Sequence, residues 1–460
     1  MKKLISILAI LLFMAGCSST TNTNQSEESQ VSIPESLEAK LYGKVTDAGQ
    51  VVYKMSIDLG EKISATDVDE ETFTVHAVGS TEEILKGTEV ESFGDYDLDR
   101  TIVKTEVDGQ YIYIYFMQNE GATLAYLSAA RNYPVDLSYT VTLNKDLTLD
   151  VDGEEAVLSD VVVNVDTTVI DEETSKFQSV LVEDGINYQF YEAADSDKLI
   201  VWFHGNGEGD YDSSNNNVAQ MLGNRGTVAW ASDEAQEIFG TAHVLAFQAP
   251  DTWYYAQSDN LLEKAYEEIN EVVEKYGIDP SKIMVSGASA GGYMSTRMLI
   301  KYPDLFSVAL INCPALDVAT DRGGETPTDE ELKSIAQSNT AIWLVQGDDD
   351  TVVKTDECTV RMFNHLIGDL ETVEKEFKQD LDSNFITKET AKDGKYKLSL
   401  YETVIVEDKP MLEFKTDLDQ DGKDELTQYS SHWSWIYTLR NNPKSTDDTD
   451  IWTWAASYLN

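Results

Sequence analysis

Lys282-Ile283-Met284-Val285-Ser286-Gly287-Ala288-Ser289-Ala290-Gly291-Gly292-Tyr293 decides the fold of this 460-residue chain. A short apolar strand runs into Gly-x-Ser-x-Gly and directly into a helix. A serine hydroxyl is a poor nucleophile, and a sharp strand-to-helix turn is one way to expose it beside a base. Such a turn needs glycine at both flanks, where a side chain would meet the folded-back backbone. Gly287 and Gly291 provide that room, and Ser289 stands at the apex.

Outward from this turn, strands alternate with helices. Leu199-Ile200-Val201-Trp202-Phe203 and Val244-Leu245-Ala246-Phe247 are continuous apolar runs, as expected for strands buried on both faces. Leu262, Ala265, Tyr266, Ile269, Val272, Val273 and Tyr276 recur at helical spacing, and Gly277 supplies the stop. Residues 307–311 and 341–345 read as two further buried strands. This order predicts an α/β fold, a doubly wound, mostly parallel sheet with helices on both faces. In such sheets chemistry lies at the carboxyl ends of the strands, where Ser289 falls.

A serine nucleophile needs a base, an acid to orient it and an oxyanion hole. Of the five histidines, His76 lies in a β-rich region, His243 begins a strand and His365 falls in a helix, so these read as structural or surface residues. His204 closes a strand within His-Gly-Asn-Gly, where backbone amides are the expected working parts. His432, in a polar loop at Ser430-Ser431-His432-Trp433, fits the order serine, acid, histidine and is the predicted base. After the strand at 341–345 come Gly347-Asp348-Asp349-Asp350-Thr351-Val352-Val353. Asp350, before the small apolar pair, is the predicted acid, and Asp348 and Asp349 read as a solvated turn. The oxyanion amides are assigned to Ala290 and Asn206. Trp253, Tyr254 and Tyr255 read either as pocket lining or as cover for the sheet.

With these residues in place, His204-Gly205-Asn206-Gly207-Glu208, Gly223-Asn224-Arg225-Gly226-Thr227-Val228-Ala229-Trp230, the serine turn and His432-Trp433-Ser434-Trp435 resemble bacterial esterases with an immunoglobulin-like N-terminal domain and an α/β-hydrolase domain of the predicted-peptidase, prolyl-oligopeptidase-like kind. The resemblance covers most of residues 180–460 and, more weakly, the β region before them. It implies a carboxylesterase acting on small-molecule or carbohydrate-linked acyl esters, with no cofactor for catalysis. About eighty residues separate Asp350 from His432, so residues 371–429 are expected to be an insertion or lid. Within it, Asp417-Leu418-Asp419-Gln420-Asp421-Gly422 places oxygen ligands at alternate positions before a turn glycine. This reads either as a short structural calcium loop (Asp417, Asp419, Asp421) or as a solvated acidic hairpin. A full EF-hand loop would end in Glu where Gln428 stands.

At the other end, Met1-Lys2-Lys3 and the apolar run Leu4 to Met14 form a signal segment closing in Met14-Ala15-Gly16-Cys17. Residues 1–16 are therefore expected to be a lipoprotein leader and Cys17 the lipidated mature terminus. Residues 17–35 read as a disordered polar tether. Residues 36–168 change to period two: Val51, Tyr53, Met55, Ile57 and Leu59 alternate with mostly polar neighbours. Ile102 to Val107, Asp108-Gly109 and Tyr111 to Met117 predict a hairpin with a primed turn. An immunoglobulin-like β-sandwich is expected there, followed by the catalytic domain over 169–460. Tyr111, Tyr113 and Tyr115 share one strand face and read as packing. Cys313 and Cys358 imply no disulfide framework.

The net charge is −49. It argues against nucleic acid as a partner and leaves membrane attachment to the acyl anchor of an extracytoplasmic protein. Self-association through the β region stays open. The chain thus reads as a serine esterase, with a serine peptidase, or a surface binding protein with a vestigial hydrolase domain, as alternatives.

Overall fold

The computed structural model describes residues 33–460, so the leader, Cys17 and most of the tether lie outside the described residues. The N-terminal region is all β. A five-stranded sheet runs in the order Val162–Ile170, Ser36–Thr46, Gly49–Asp58, Tyr111–Phe116, Ile102–Asp108. Across from it lie two three-stranded sheets, built around Phe73–Ser80 and Leu147–Val151. Alternate residues point inward, as the period-two pattern requires: Leu41, Met55, Ile57, Val75, Ala77, Ile112, Ile114 and Leu149 share one core. The hairpin closes on the pair Asp108–Tyr111, with Gly109 at φ +58°, the left-handed first central position that a primed turn demands. On the outer face Tyr113 and Tyr115 gather around Lys54, whose ammonium lies 5.2 and 5.9 Å from their ring centroids.

The C-terminal region is organised by one ten-stranded sheet. Six parallel strands form its centre, in the order His243–Phe247, Leu199–Phe203, Ile283–Ala288, Val308–Asn312, Ala341–Gly347, Tyr396–Tyr401. Their side chains divide between two cores. Val201, Phe203, Val285, Ile311 and Leu344 pack with helices Leu261–Tyr276, Ala290–Lys301 and Arg361–Ile367 on one face. Ile200, Trp202, Met284, Leu310 and Trp343 pack with Asp233–Phe239, Trp435–Leu439 and Ile451–Ala456 on the other. Each such buried side chain contributes about 1.5–3 kcal/mol of transfer free energy, which explains the unbroken apolar runs. Helix Leu261–Tyr276 ends where the sequence says, at Gly277 in the left-handed conformation.

Residues 371–429 are not one insertion or lid. Thr372–Phe377, Phe385–Thr390 and Tyr396–Tyr401 extend the central sheet, the last of them parallel to Ala341–Gly347. The apolar side chains of Tyr396, Leu398 and Tyr401 are buried there, which makes this segment scaffold. The rest, Val404–Val406, Lys409–Thr416 and Glu425–Ser430, is a separate three-stranded sheet. Its acidic loop docks on the N-terminal sheet: Gln118 donates to Asp417 O at 3.2 Å and Gln420 to Phe116 O at 2.8 Å. Among the described residues no helix is long and apolar enough to cross a membrane.

Candidate active site

The serine turn is held by its own backbone. Strand Ile283–Ala288 ends one residue before Ser289, and helix Ala290–Lys301 starts one residue after it. Ser289 takes φ +55°, ψ −115°, a conformation a residue with a side chain adopts only when its surroundings enforce it. Here Ser289 N donates to Asn312 O at 3.0 Å, and Ser289 O accepts from Tyr293 N at 2.9 Å and Ala315 N at 3.1 Å. The flanking glycines are sterically required. A Cβ on Gly287 would lie 2.4 Å from Gly291 O, and one on Gly291 would lie 2.0 Å from Phe203 O.

His432 comes from the loop after strand Glu425–Ser430 and reaches Ser289 from the far side of the turn. Its Nε2 is 2.9 Å from Ser289 Oγ, and its Nδ1 is 2.7 Å from Asp350 Oδ2. With Asp350 ionised, Nδ1–H donates to the carboxylate, so Nε2 is left to accept the serine proton. Asp350 stands just past strand Ala341–Gly347. Its Oδ1 accepts the amides of Val352 and Val353 at 2.8 and 3.0 Å, and Oδ2 accepts Gln346 Nε2 at 2.9 Å. Burial alone would push this carboxyl up; His432 and those amides outweigh it and hold the pKa below the ordinary aspartate value. Burial likewise presses His432 toward neutrality, while the Cys313 sulfur and Asp350 beside it act the other way and leave its pKa above the ordinary histidine value.

Cys313 is a neighbour that sequence reasoning passed over. It is fully buried, with a ligand atom within 4.8 Å of those of Asp350 and His432. The signal was register: Ala288 pairs with Asn312, so the residue after Asn312 lies across from Ser289. Neither Cys313 nor Cys358 is in a disulfide.

On the other side of Ser289, strand Leu199–Phe203 leads into a single 3-10 turn, Asn206–Glu208. Among the described residues the amides of Asn206 and Ala290 have no acceptor in the protein. Thr252 Oγ1 donates to Asn206 Oδ1 at 2.8 Å and fixes that side chain. His204 is buried, and its Nε2 accepts the Ala249 amide at 2.9 Å. Burial drives its pKa down to about 3, so it is a neutral structural ring and not a base. Trp253 and Tyr254 are also buried, Trp253 edge-on to Phe203 at 5.2 Å, so they cover the sheet.

The other assigned residues lie elsewhere. His76 sits between Asp97 and Asp99 on the surface, His365 faces Asp329, and His243 bonds Ala193 N and Ser196 O. Asp348 accepts the Thr403 amide and Asp349 is exposed. In the acidic loop, Asp417 and Asp419 gather with Glu425 within 4.8 Å, whereas Asp421 turns away and pairs with Lys423. Asp421 is therefore corrected to Glu425 as the third carboxylate, because the chain doubles back after Gly422 at φ +83°.

Residues 39–156 match the esterase Ig-like N-terminal domain, and residues 250–338 match the prolyl oligopeptidase family. No curated protein sequence matches the chain. Among solved structures, a thermostable esterase is similar over 88% of this chain and 96% of its own, with 21% identity and a TM-score of 0.61. An acetyl xylan esterase from Aspergillus awamori is similar over 50% of this chain and 93% of its own (17% identity, TM-score 0.36). A puromycin-hydrolyzing peptidase of Mycobacterium tuberculosis is similar over 56% of this chain and 40% of its own (14% identity, TM-score 0.34). Two segments of the chain thus match the esterase Ig-like N-terminal domain and the prolyl oligopeptidase family, and its fold is similar to that of the thermostable esterase.

Proposed function

We propose that this protein is a serine esterase that cleaves carboxylic esters through an acyl-enzyme on Ser289. The observation that carries the reading is the continuous chain Ser289 Oγ, His432, Asp350, at 2.9 and 2.7 Å, on a strained strand-to-helix turn. Ser289 Oγ attacks the acyl carbonyl while His432 Nε2 takes its proton, and Asp350 stabilises the imidazolium. The amides of Ala290 and Asn206 receive the charge that develops on the carbonyl oxygen. His432 then protonates the departing alkoxide, and a water, deprotonated by the same nitrogen, releases the acid. Every proton in this scheme has a side chain to hold it, so the chemistry requires no cofactor.

The prolyl oligopeptidase-family match favours a second reading, peptide cleavage by the same three residues. A fluorophosphonate probe followed by a panel of aryl acetates, acetylated or feruloylated sugars and short peptides separates these. The esterase reading expects labelling that Ser289→Ala abolishes, and ester turnover well above peptide turnover. Labelling that persists in the variant removes Ser289 as nucleophile, and peptide turnover above ester turnover selects the peptidase. A protein that neither labels nor turns over any substrate is the surface binding protein.

The same proposal places the protein outside the cytoplasm, tethered to the membrane by a lipid on Cys17; globomycin-sensitive processing and loss of membrane fractionation in Cys17→Ser test it. It also assigns a structural calcium, with no part in bond making, to Asp417, Asp419 and Glu425. The support is that Asp417 Oδ1 is shut from solvent without a hydrogen-bond partner.

A further inference from the structure

The oxyanion turn Asn206–Glu208 is poorly held by its own bonds. Glu208 N reaches Gly205 O at 3.3 Å and Gly209 N reaches Asn206 O at 3.5 Å, both at the long end for a hydrogen bond. A three-residue 3-10 turn with such contacts has little rigidity of its own. An oxyanion donor, however, must keep its aim to within a fraction of an ångström to act on the transition state. Within the catalytic domain Thr252 holds the Asn206 side chain and Gln248 Nε2 donates to Glu208 O at 3.2 Å; further bonds come from outside that domain. A two-stranded hairpin of the N-terminal domain, Leu124–Leu127 and Arg131–Pro134, stands apart from the sandwich sheets. It lies flush against the turn: a Cβ on Gly207 would meet Asn132 Nδ2 at 3.2 Å and Tyr126 Cε2 at 3.6 Å.

Two residues of this hairpin grip the turn. Arg131, buried and ion-paired with Asp251, donates from Nη1 to Asn206 O at 3.3 Å. Asn132 donates from Nδ2 to Glu208 Oε1 at 3.1 Å. Glu208 is 7% exposed, and its carboxyl folds back under the loop, where a Cβ on Gly205 would lie 3.0 Å from Oε2. Asn206 is therefore held by Thr252 on its side chain, by Arg131 on its carbonyl, and through Glu208 by Asn132. We propose that Asn132 and Arg131 of the N-terminal domain are positioning residues of the oxyanion hole, so that this domain completes the active site of the catalytic one.

This inference rests on the esterase reading above, and its test separates the two. Asn132→Ala in the otherwise intact protein should lower kcat on 4-nitrophenyl acetate by about tenfold, a loss typical of small misplacement, with KM changed by less than about twofold. Its far-UV circular dichroism and melting temperature should match the parent. Asn132→Asp supplies a readout that a purely structural role would not move. It sets a second carboxyl against Glu208, and the pair cannot both ionise without repulsion. Its kcat relative to the parent should therefore rise as pH falls from about 8 to 6, as the two come to share a proton. Of the groups facing Glu208, Tyr126 is pushed above the ordinary tyrosine value by burial and His204 well below the ordinary histidine value, so neither titrates over that range, whereas burial raises the Glu208 carboxyl itself to about 7, within it. The ratio cancels the titration of His432 common to both enzymes, and its remaining slope reports how the added carboxyl shifts that of Glu208.

An Asn132→Ala enzyme with parental kcat, a defect confined to KM, or a pH-independent Asn132→Asp ratio overturns the inference. If those results occur while Ser289→Ala abolishes labelling, the brace alone fails and the esterase reading stands. If Ser289→Ala still labels and hydrolyses, the reading beneath it fails.

Discussion

The two sides of the site are built differently. Ser289 and Asp350 project from the ends of buried parallel strands, and the serine turn is fixed by backbone bonds to Asn312, Tyr293 and Ala315 within the same domain. The turn Asn206–Glu208 hangs on side chains, two of them from N-terminal residues 75 and 76 positions from their partners. A scaffold made of sheet hydrogen bonds tolerates the loss of any one partner. A turn held by a few side-chain contacts does not.

Five substitutions and one ion addition probe this contrast. The largest effect is expected from Ser289→Ala, at least about 10⁴-fold in ester kcat, since residues of a triad act as a unit. Asp350→Asn follows, with a loss of about 10³–10⁴-fold as the imidazole loses its proper tautomer. It also carries a pH signature. His432 must be neutral to act, and Asp350 helps raise its pKa, so parental activity should climb with pH through a midpoint above the ordinary histidine value. In Asp350→Asn the residual activity should climb at lower pH, and a limb that stays put would separate Asp350 from the base. Asn132→Ala, at about tenfold, comes third and probes the weaker side directly.

Below these lie effects on stability. Gly291→Ala pushes a methyl to 2.0 Å from Phe203 O and should cost about 3 kcal/mol in urea unfolding, as overpacking does. A cost near zero would mean that the turn is looser than its bonds suggest. Smallest is the acidic loop. Millimolar calcium should raise the melting temperature by about 2–4 °C if it contributes about 1 kcal/mol, and Asp417→Asn should abolish the rise. A melting temperature indifferent to calcium returns the loop to a solvated hairpin.

How much was legible in the sequence follows the same division. The helix ending at Gly277, the central strands and the serine turn were readable because burial on both faces leaves continuous apolar runs and the turn leaves its glycines. Residues 372–401 were misread as insertion because edge strands keep one wet face: Val373, Glu374 and Glu376 are exposed beside buried Phe385 and Tyr396. Alternate spacing selects Asp421 as the third ligand and gives no sign of Glu425, because spacing says nothing about where the chain doubles back. Asn132 was invisible for a deeper reason. An asparagine whose single task is a bond to a residue 76 positions away carries no local pattern at all.

One feature of the fold reaches past catalysis. Arg225 donates to Val45 O, Arg440 pairs with Asp47, Gln420 donates to Phe116 O, and Arg131 pairs with Asp251, so four links across the boundary join a specific side chain to a specific site. The N-terminal domain is consequently not an interchangeable module. An engineer who exchanges it for a homologous sandwich without these four contacts would keep the serine turn and lose the bonds that fix the domains to each other, and any successful chimera would have to move the boundary so that both halves of each contact travel together.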